Sequence, residues 1–232
     1  SLGGKLALVN GSQFSMIHSP SLQTLNGFPY LQKPGVTMLA KPQVYPEAIQ
    51  GFLDGFDKKL EFDKYLEDSD GLTDGVWLSK IAGQLCYLSF GPKRTKNKDA
   101  AKYLENIKSS GHGSVLEHPN YSFLVYGNSR SETHEKVRHR AGFGFSQLSQ
   151  RYVSGTALRF VERPEYQNVP DLHERFLKRI EMAAAEYEYI ANRLLELQTG
   201  GTKILSAEAK TDLRKKVQQC ARSVLPNETE AP

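Results

Sequence analysis

Apolar residues recur at helical spacing over several stretches of this chain, and the breaks between those stretches set its outline. From Thr73-Asp74, a cap candidate, Trp77, Ile81, Leu85 and Leu88 repeat one turn apart toward Phe90 and predict a helix with these residues in the core. Cys86 reads as a small buried hydrophobe within it. Asp99 to Ser110 predicts a second helix, with Ala101, Leu104 and Ile107 on one face and Gly111 as its left-handed C-terminal residue. Leu172, Phe176, Ile180, Tyr187, Ile190, Leu194 and Leu197 form a stripe predicting a long helix from Asp171 to Gln198, ended by Gly200-Gly201. Leu213, Val217, Cys220 and Val224 mark a final helix that stops before Pro226. Mostly apolar runs at Val36–Ala40 and Tyr121–Tyr126 predict strands, and Pro46 to Phe56 predicts a short helix opened by proline.

Residues 1–35 lack periodicity and read as an irregular segment, with Leu6, Leu8 and Val9 a candidate short strand. The remainder, 36–232, is expected to form one α+β domain: a mainly antiparallel sheet packed against long helices. With 39% hydrophobic and 24% charged residues, the 232-residue chain can bury an ordinary core. A net charge of +4 suits a phosphorylated small molecule and is too weak to argue for nucleic acid. Cys86 and Cys220 are far apart and match no disulfide or metal framework, which fits a reducing compartment. No apolar run approaches a membrane span, and Ser1-Leu2-Gly3-Gly4 has no signal-peptide character, so a cytoplasmic location is expected. The chain opens without Met, and its first residues are set aside as a trimmed start.

The chemistry concentrates between Arg138 and Tyr152. Arg138, His139, Arg140, Ser146, Gln147, Ser149, Gln150 and Arg151 crowd donors for oxyanions into one segment and ask for an anionic ligand. Ser129-Arg130-Ser131-Glu132 has the form of a capping box, so a helix is expected from Arg130 to about Arg140, with Glu135 one turn from Arg138 and His139. Gly142 and Gly144 then break it. Upstream, the cations of Lys93 to Lys98 read as a solvated loop. His112, Glu117 and His118 match no common zinc spacing, and no metal is expected. Neither a Gly-x-Gly-x-x-Gly turn nor a phosphate-cradling loop ending in Gly-Lys-Ser/Thr is present.

The Arg138-His139-Arg140 run followed by Ser146-Gln147-Leu148-Ser149-Gln150-Arg151-Tyr152 resembles the hallmark of the flavin-dependent thymidylate synthases. That hallmark usually has seven residues between its last arginine and the serine. Eight separate Arg140 from Ser149, which places the difference in the Ala141–Phe145 turn. Gly111-His112-Gly113-Ser114-Val115-Leu116-Glu117-His118 resembles the family's second element, and the Cys86-Tyr87-Leu88-Ser89-Phe90 end of the preceding helix also resembles the family. Ala221-Arg222-Ser223-Val224-Leu225-Pro226-Asn227 resembles a third, whose arginine binds the nucleotide.

The resemblance implies FAD as cofactor, with Ser89, His112, Ser114, Glu117, Arg130, Arg138 and Arg140 about it. It implies dUMP as substrate, with Arg138, Gln147 and Arg151 on its ring and phosphate, Ser149 and Gln150 orienting it, Glu135 holding register and Arg222 assisting. Methylenetetrahydrofolate would donate the carbon and NADPH the reducing equivalents, at a site shared between subunits of a homotetramer. No covalent nucleophile is implied: neither cysteine sits among electropositive neighbours in sequence, and Ser149 lacks a nucleophile elbow or His-Asp pair. In the family, further nucleotide and flavin contacts follow the point matched by Pro232, so this chain is expected to carry an incomplete site or to be an inactive homologue. A non-enzymatic nucleotide or RNA binder, with Phe143 and Phe145 as stacking platforms, is the alternative, and a serine hydrolase the weaker one.

Overall fold

The computed structural model describes residues 8–9, 12–13, 17–67, 71–202, 205–206 and 210–232. Its strands are β1 (Leu8–Val9), β2 (Ser12–Gln13), β3 (Leu22–Gln23), β4 (Pro29–Leu31), β5 (Gly35–Ala40), β6 (Ser122–Tyr126) and β7 (Phe160–Val161). Its helices are α1 (Gln50–Leu53), α2 (Asp74–Tyr87), α3 (Ala100–Ser109), α4 (Arg130–Lys136), α5 (Pro170–Thr199) and α6 (Lys210–Ala221). The α+β class expected from the pattern holds. Its strands are short and gather in small sheets: β1 with β2, β3-β4-β7, and β5 with β6. In the middle one β3 pairs antiparallel to β4, while β4 and β7 run parallel, with Tyr30 opposite Phe160. The chain divides into two compact units, Met38–Phe123 and Ser1–Thr37 with Leu124–Pro232.

In the larger unit the core is Tyr30, Phe160, Phe176 and Ile180, where β4 and β7 meet α5. Pro at its first turn opens α5, whose Phe176, Ile180, Ala183 and Tyr187 are buried at the spacing the stripe predicts. Leu172, at the start of that stripe, is exposed instead. At ~1.5 Å per residue the 30-residue helix is about 45 Å long, and α6 packs against it. Phe176 is fully buried and meets Tyr30 edge-on, with centroids 5.6 Å apart. Phe176→Ala is therefore expected to cost ~3–5 kcal/mol, read as a lowered unfolding midpoint in urea.

Leu31 is fully buried, so the stretch read as irregular supplies a core strand; strands of two or three residues are too short to show an alternating pattern. Leu6 lies outside the described residues. Glu162, after β7, is buried yet satisfied: its carboxylate accepts from Gln32 Nε2 at 2.9 Å and lies 2.6 Å from His173 Nδ1. Burial, and after it the Glu162 carboxylate, pushes the Tyr30 phenol above its ordinary range.

In the smaller unit Leu53, Phe62, Tyr65 and Phe90 form one core, with Tyr65 edge-on to Phe90 at 5.0 Å. Ala82, Ile107 and Val115 form another. The helix expected over Pro46 to Phe56 is a 3-10 turn, Pro46–Ile49, followed by the short α1. α2 also departs from expectation: Leu85 and Leu88 are exposed, as is Cys86, while Gly75, Ser79, Lys80, Ala82, Gly83 and Gln84 are buried. Small residues explain the exchange. A Cβ on Gly75 would overlap the Tyr121 hydroxyl and one on Gly83 the Tyr103 hydroxyl, so tyrosines pack where larger residues could not. Thr73 stands at the N-cap without a side-chain bond, and Asp74 instead accepts from the Val44 N–H at 2.9 Å. The 93–98 loop is not simply solvated: Arg94 lies over the Tyr65 ring, and buried Asn97 accepts from Lys80 Nζ at 2.8 Å. Gly111 does close α3 in the left-handed region, with φ 70°.

Candidate functional site

Ser129 caps α4 as its sequence predicts, its Oγ accepting from the Glu132 N–H at 3.3 Å. The Arg130 N–H donates to Thr229 O at 2.8 Å and the Ser131 N–H to Asn227 O at 3.1 Å. The helix's opening amides are therefore spent inside the fold, and an anion beside it must be held by side chains.

α4 ends at Lys136, a turn earlier than expected. The Arg138 N–H donates to Glu135 O and the His139 N–H to Lys136 O, the tight i to i−3 turns of an unwinding helix. Arg138, His139 and Arg140 consequently stand outside it, all exposed. Arg138 lies 3.9 Å from the Glu135 carboxylate and 3.1 Å from His134 Nε2, a loose pairing in solvent. Gly142, at φ 77°, turns the chain, and the Phe143 N–H donates to Arg140 O at 3.2 Å. The Phe143 and Phe145 rings stack at 5.9 Å and 16°, both exposed.

Val137, Arg140, Phe143, Gly144, Phe145 and Gln147 line a concavity of about 510 Å³. Gln147 Oε1 accepts from Arg130 Nη1 at 2.7 Å, which fixes the carboxamide's orientation. Its nitrogen has no hydrogen-bond partner among the described residues, nor has the Arg140 guanidinium a carboxylate. The concavity thus offers one cation, one amide donor and two ring faces. A ligand combining an anionic group with a planar ring, such as a nucleotide or a flavin, fits that donor set.

Beyond it, Ser149 Oγ accepts from the Arg151 N–H at 3.3 Å, and Gln150 is buried. The Arg151 guanidinium lies 6.0 Å from the Tyr152 ring centroid, and Lys215 Nζ sits 4.9 Å from the same ring. Lys215 was not legible in sequence: α6 brings it from a distant stretch whose charge pattern is that of any solvated helix face. Arg222 is half-buried in the 3-10 turn Arg222–Val224, without a side-chain partner among the described residues.

The remaining candidates belong to the smaller unit. His112 precedes the 3-10 turn Gly113–Glu117, whose Val115 is buried against Ala82 and Ile107 while His112, Ser114 and Glu117 are exposed. Val115 therefore anchors a turn that presents its polar residues to solvent. Ser89 follows Leu88, a left-handed residue at φ 48°, and its backbone closes α2: its N–H donates to Gln84 O and its carbonyl accepts from Gln84 Nε2. The structure hydrogen-bonds Arg130 to Gln147 and sets Arg140 and Gln147 on one concavity; Ser89, His112, Ser114 and Glu117 fall in Met38–Phe123, the others outside it.

Residues 73–232 match the family described as thymidylate synthase complementing protein, and the chain belongs to that family. Among similar proteins, the flavin-dependent thymidylate synthase of Mycolicibacterium gilvum is 40% identical over 164 residues, 70% of this chain and 61% of that protein. The flavin-dependent thymidylate synthase of Corynebacterium diphtheriae is 39% identical over 160 residues, 68% of this chain and 60% of its own length. The chain thus spans about three fifths of the curated relatives it matches. Among solved structures, the UMP/dUMP methylase PolB of Streptomyces cacaoi bound with 5-Br UMP aligns over 86% of this chain and 69% of its own, at 16% identity and a TM-score of 0.49.

Proposed function

We propose that this chain serves flavin-dependent methylation of dUMP to dTMP, with FAD as cofactor, methylenetetrahydrofolate as carbon donor and NADPH as reductant. The observation that carries this reading is the Arg140 guanidinium, free of any carboxylate among the described residues, in a concavity with the Phe143–Phe145 stack and Gln147. Family membership and relatives named flavin-dependent thymidylate synthase support it. A homotetramer in the cytoplasm belongs to the same reading; among the described residues no helix is long and apolar enough to cross a membrane.

The flavin, when bound, supplies the redox equivalents that convert a transferred methylene into a methyl group. The chain's own residues bind, orient and polarise. Arg140 and Arg138 neutralise ligand anions at the exposed end of α4, and Arg151 with Lys215 forms a second cationic patch about Tyr152. Arg222 adds a contact to the nucleotide, and Glu135 keeps Arg138 in register. Gln147, pinned by Arg130, presents its amide N–H to a uracil oxygen and so orients and polarises the ring. Ser149 and Gln150 shape the turn that presents Arg151. Ser89, His112, Ser114 and Glu117 are assigned to the cofactor, as are Arg130, Arg138 and Arg140.

A thiolate route has weak physical support. Cys86 is exposed, but its thiol hydrogen-bonds to Ala82 O at 3.4 Å, and no guanidinium contacts it among the described residues. Cys86→Ala is expected to change dUMP-dependent NADPH oxidation by less than about twofold. The test of the function is that assay, with the folate present and an absorbance scan for bound flavin. A colourless protein that fails to oxidise NADPH, yet binds nucleotides with affinity falling steeply in salt, would favour a plain nucleotide binder using the exposed phenylalanine stack. Ser149 Oγ is hydrogen-bonded to backbone, and no histidine contacts it among the described residues, so a serine hydrolase has no support.

A further inference from the structure

The segment Asn227–Pro232 lies between two others and is hydrogen-bonded to both. Toward 128–131, the Arg130 N–H donates to Thr229 O, the Ser131 N–H to Asn227 O, and the Ala231 N–H to Asn128 O at 2.9 Å. Toward 159–161, the Val161 N–H donates to Glu228 O at 2.7 Å and the Glu230 N–H to Arg159 O at 2.8 Å. At its end, Pro232 O accepts from the Leu148 N–H at 2.8 Å. Gln147 of the concavity and its partner Arg130 are thereby tied to one short stretch: Arg130 directly, and Gln147 through the adjoining Leu148.

Glu230 locks that stretch. Its side chain is 4% exposed and takes three N–H donors: Gly127 N at 2.7 Å, Arg159 Nη2 at 2.8 Å and Arg159 Nε at 2.6 Å. Arg159 in turn lies over the Tyr126 ring, whose hydroxyl is 2.9 Å from His18 Nδ1. Glu228, two residues back, pairs with Arg179 at the surface instead. One carboxylate therefore holds the turn that launches α4 and the strand that flanks the segment, in a setting with little water to replace a lost partner.

We infer that Glu230 is a positioning residue for the nucleotide site: it clamps 227–232 so that Arg130 meets Gln147 and aims its amide at the ligand. The inference rests on the function proposed above. It assigns Glu230 no contact with substrate, only the setting of the 2.7 Å Arg130–Gln147 bond.

A double-mutant cycle on dUMP binding to the flavin-loaded protein tests it, with Glu230→Ala and Gln147→Ala alone and together. Glu230→Gln stands in if the alanine variant does not fold, since its amide oxygen still accepts from Gly127 while the charge on Arg159 goes unmatched. Leu53→Val, a core change in the smaller unit, controls for lost stability. Glu230→Ala is expected to weaken dUMP about tenfold in the native background and less than about twofold once Gln147 is gone, with Leu53→Val neutral. Equal losses in both backgrounds, or none, would overturn the positioning role. If the unmutated flavin-loaded protein ignores dUMP altogether, the proposed function itself fails, a result distinct from either.

Discussion

Arg140→Met should lower kcat/KM for dUMP by roughly 10- to 100-fold and leave the unfolding temperature within about 2 °C of the parent. Both halves follow from one fact: the guanidinium makes no ion pair in the fold among the described residues, so the folded chain has nothing to lose with it. Methionine keeps the stem's length and flexibility beside Phe143 and removes the charge alone. A charged hydrogen bond to a ligand anion contributes ~1.5–3 kcal/mol, which sets the range. Arg138 makes the contrast, because it already leans on Glu135 and His134. A steady-state assay beside a thermal melt reads both quantities. Unchanged kinetics would remove Arg140 from the site, and a large fall in melting temperature would make it structural.

Gly127→Ala is expected to destabilise by more than ~3 kcal/mol, lowering the melting temperature by about 6–12 °C. Gly127 sits at φ 70°, which costs an alanine ~1–2 kcal/mol before any contact is counted. Its Cβ would also lie 2.4 Å from Lys33 O and 3.1 Å from Pro34 Cα, both backbone, so no side chain can swing away. Relief requires moving the turn, which pulls the Gly127 N–H off Glu230. Gly144→Ala is the control: its Cβ meets nothing within 4 Å, and its melt should match the parent. A Gly127→Ala protein melting within about 2 °C of the parent would contradict the packing described.

Long, strongly patterned elements were legible because their signal is local. The α5 stripe, the Ser129 cap and the Gly111 terminus each depend on residues within a turn or two of one another. Periodicity misplaces the α2 face because it finds large apolar residues, whereas Gly75 and Gly83 bury their side by being small enough for tyrosines to approach. Val137 to Arg140 contains no breaker, so the pattern extends the helix past Lys136; tight turns ahead of Gly142 end it early. That early end leaves Arg138 to Arg140 outside the helix, so the arginine cluster was found while its geometry was not.

The segment 227–232 was invisible for another reason. It is held by backbone hydrogen bonds and one carboxylate to partners in other stretches of the chain, and Glu228-Thr229-Glu230 shows no period of its own. Lys215 is similar: its place over Tyr152 depends on how α6 lies against α5. The cations and amides of a site can be read from a sequence, but their supports belong to tertiary structure.

The most direct test is a crystal structure of the protein with FAD and dUMP. The account predicts ligand density in the concavity of Arg140, Phe143, Phe145 and Gln147, with the Arg140 guanidinium on an anionic group and Gln147 Nε2 donating to the ligand. Both ligands bound elsewhere, with Arg140 and Gln147 turned into bulk solvent, would contradict it.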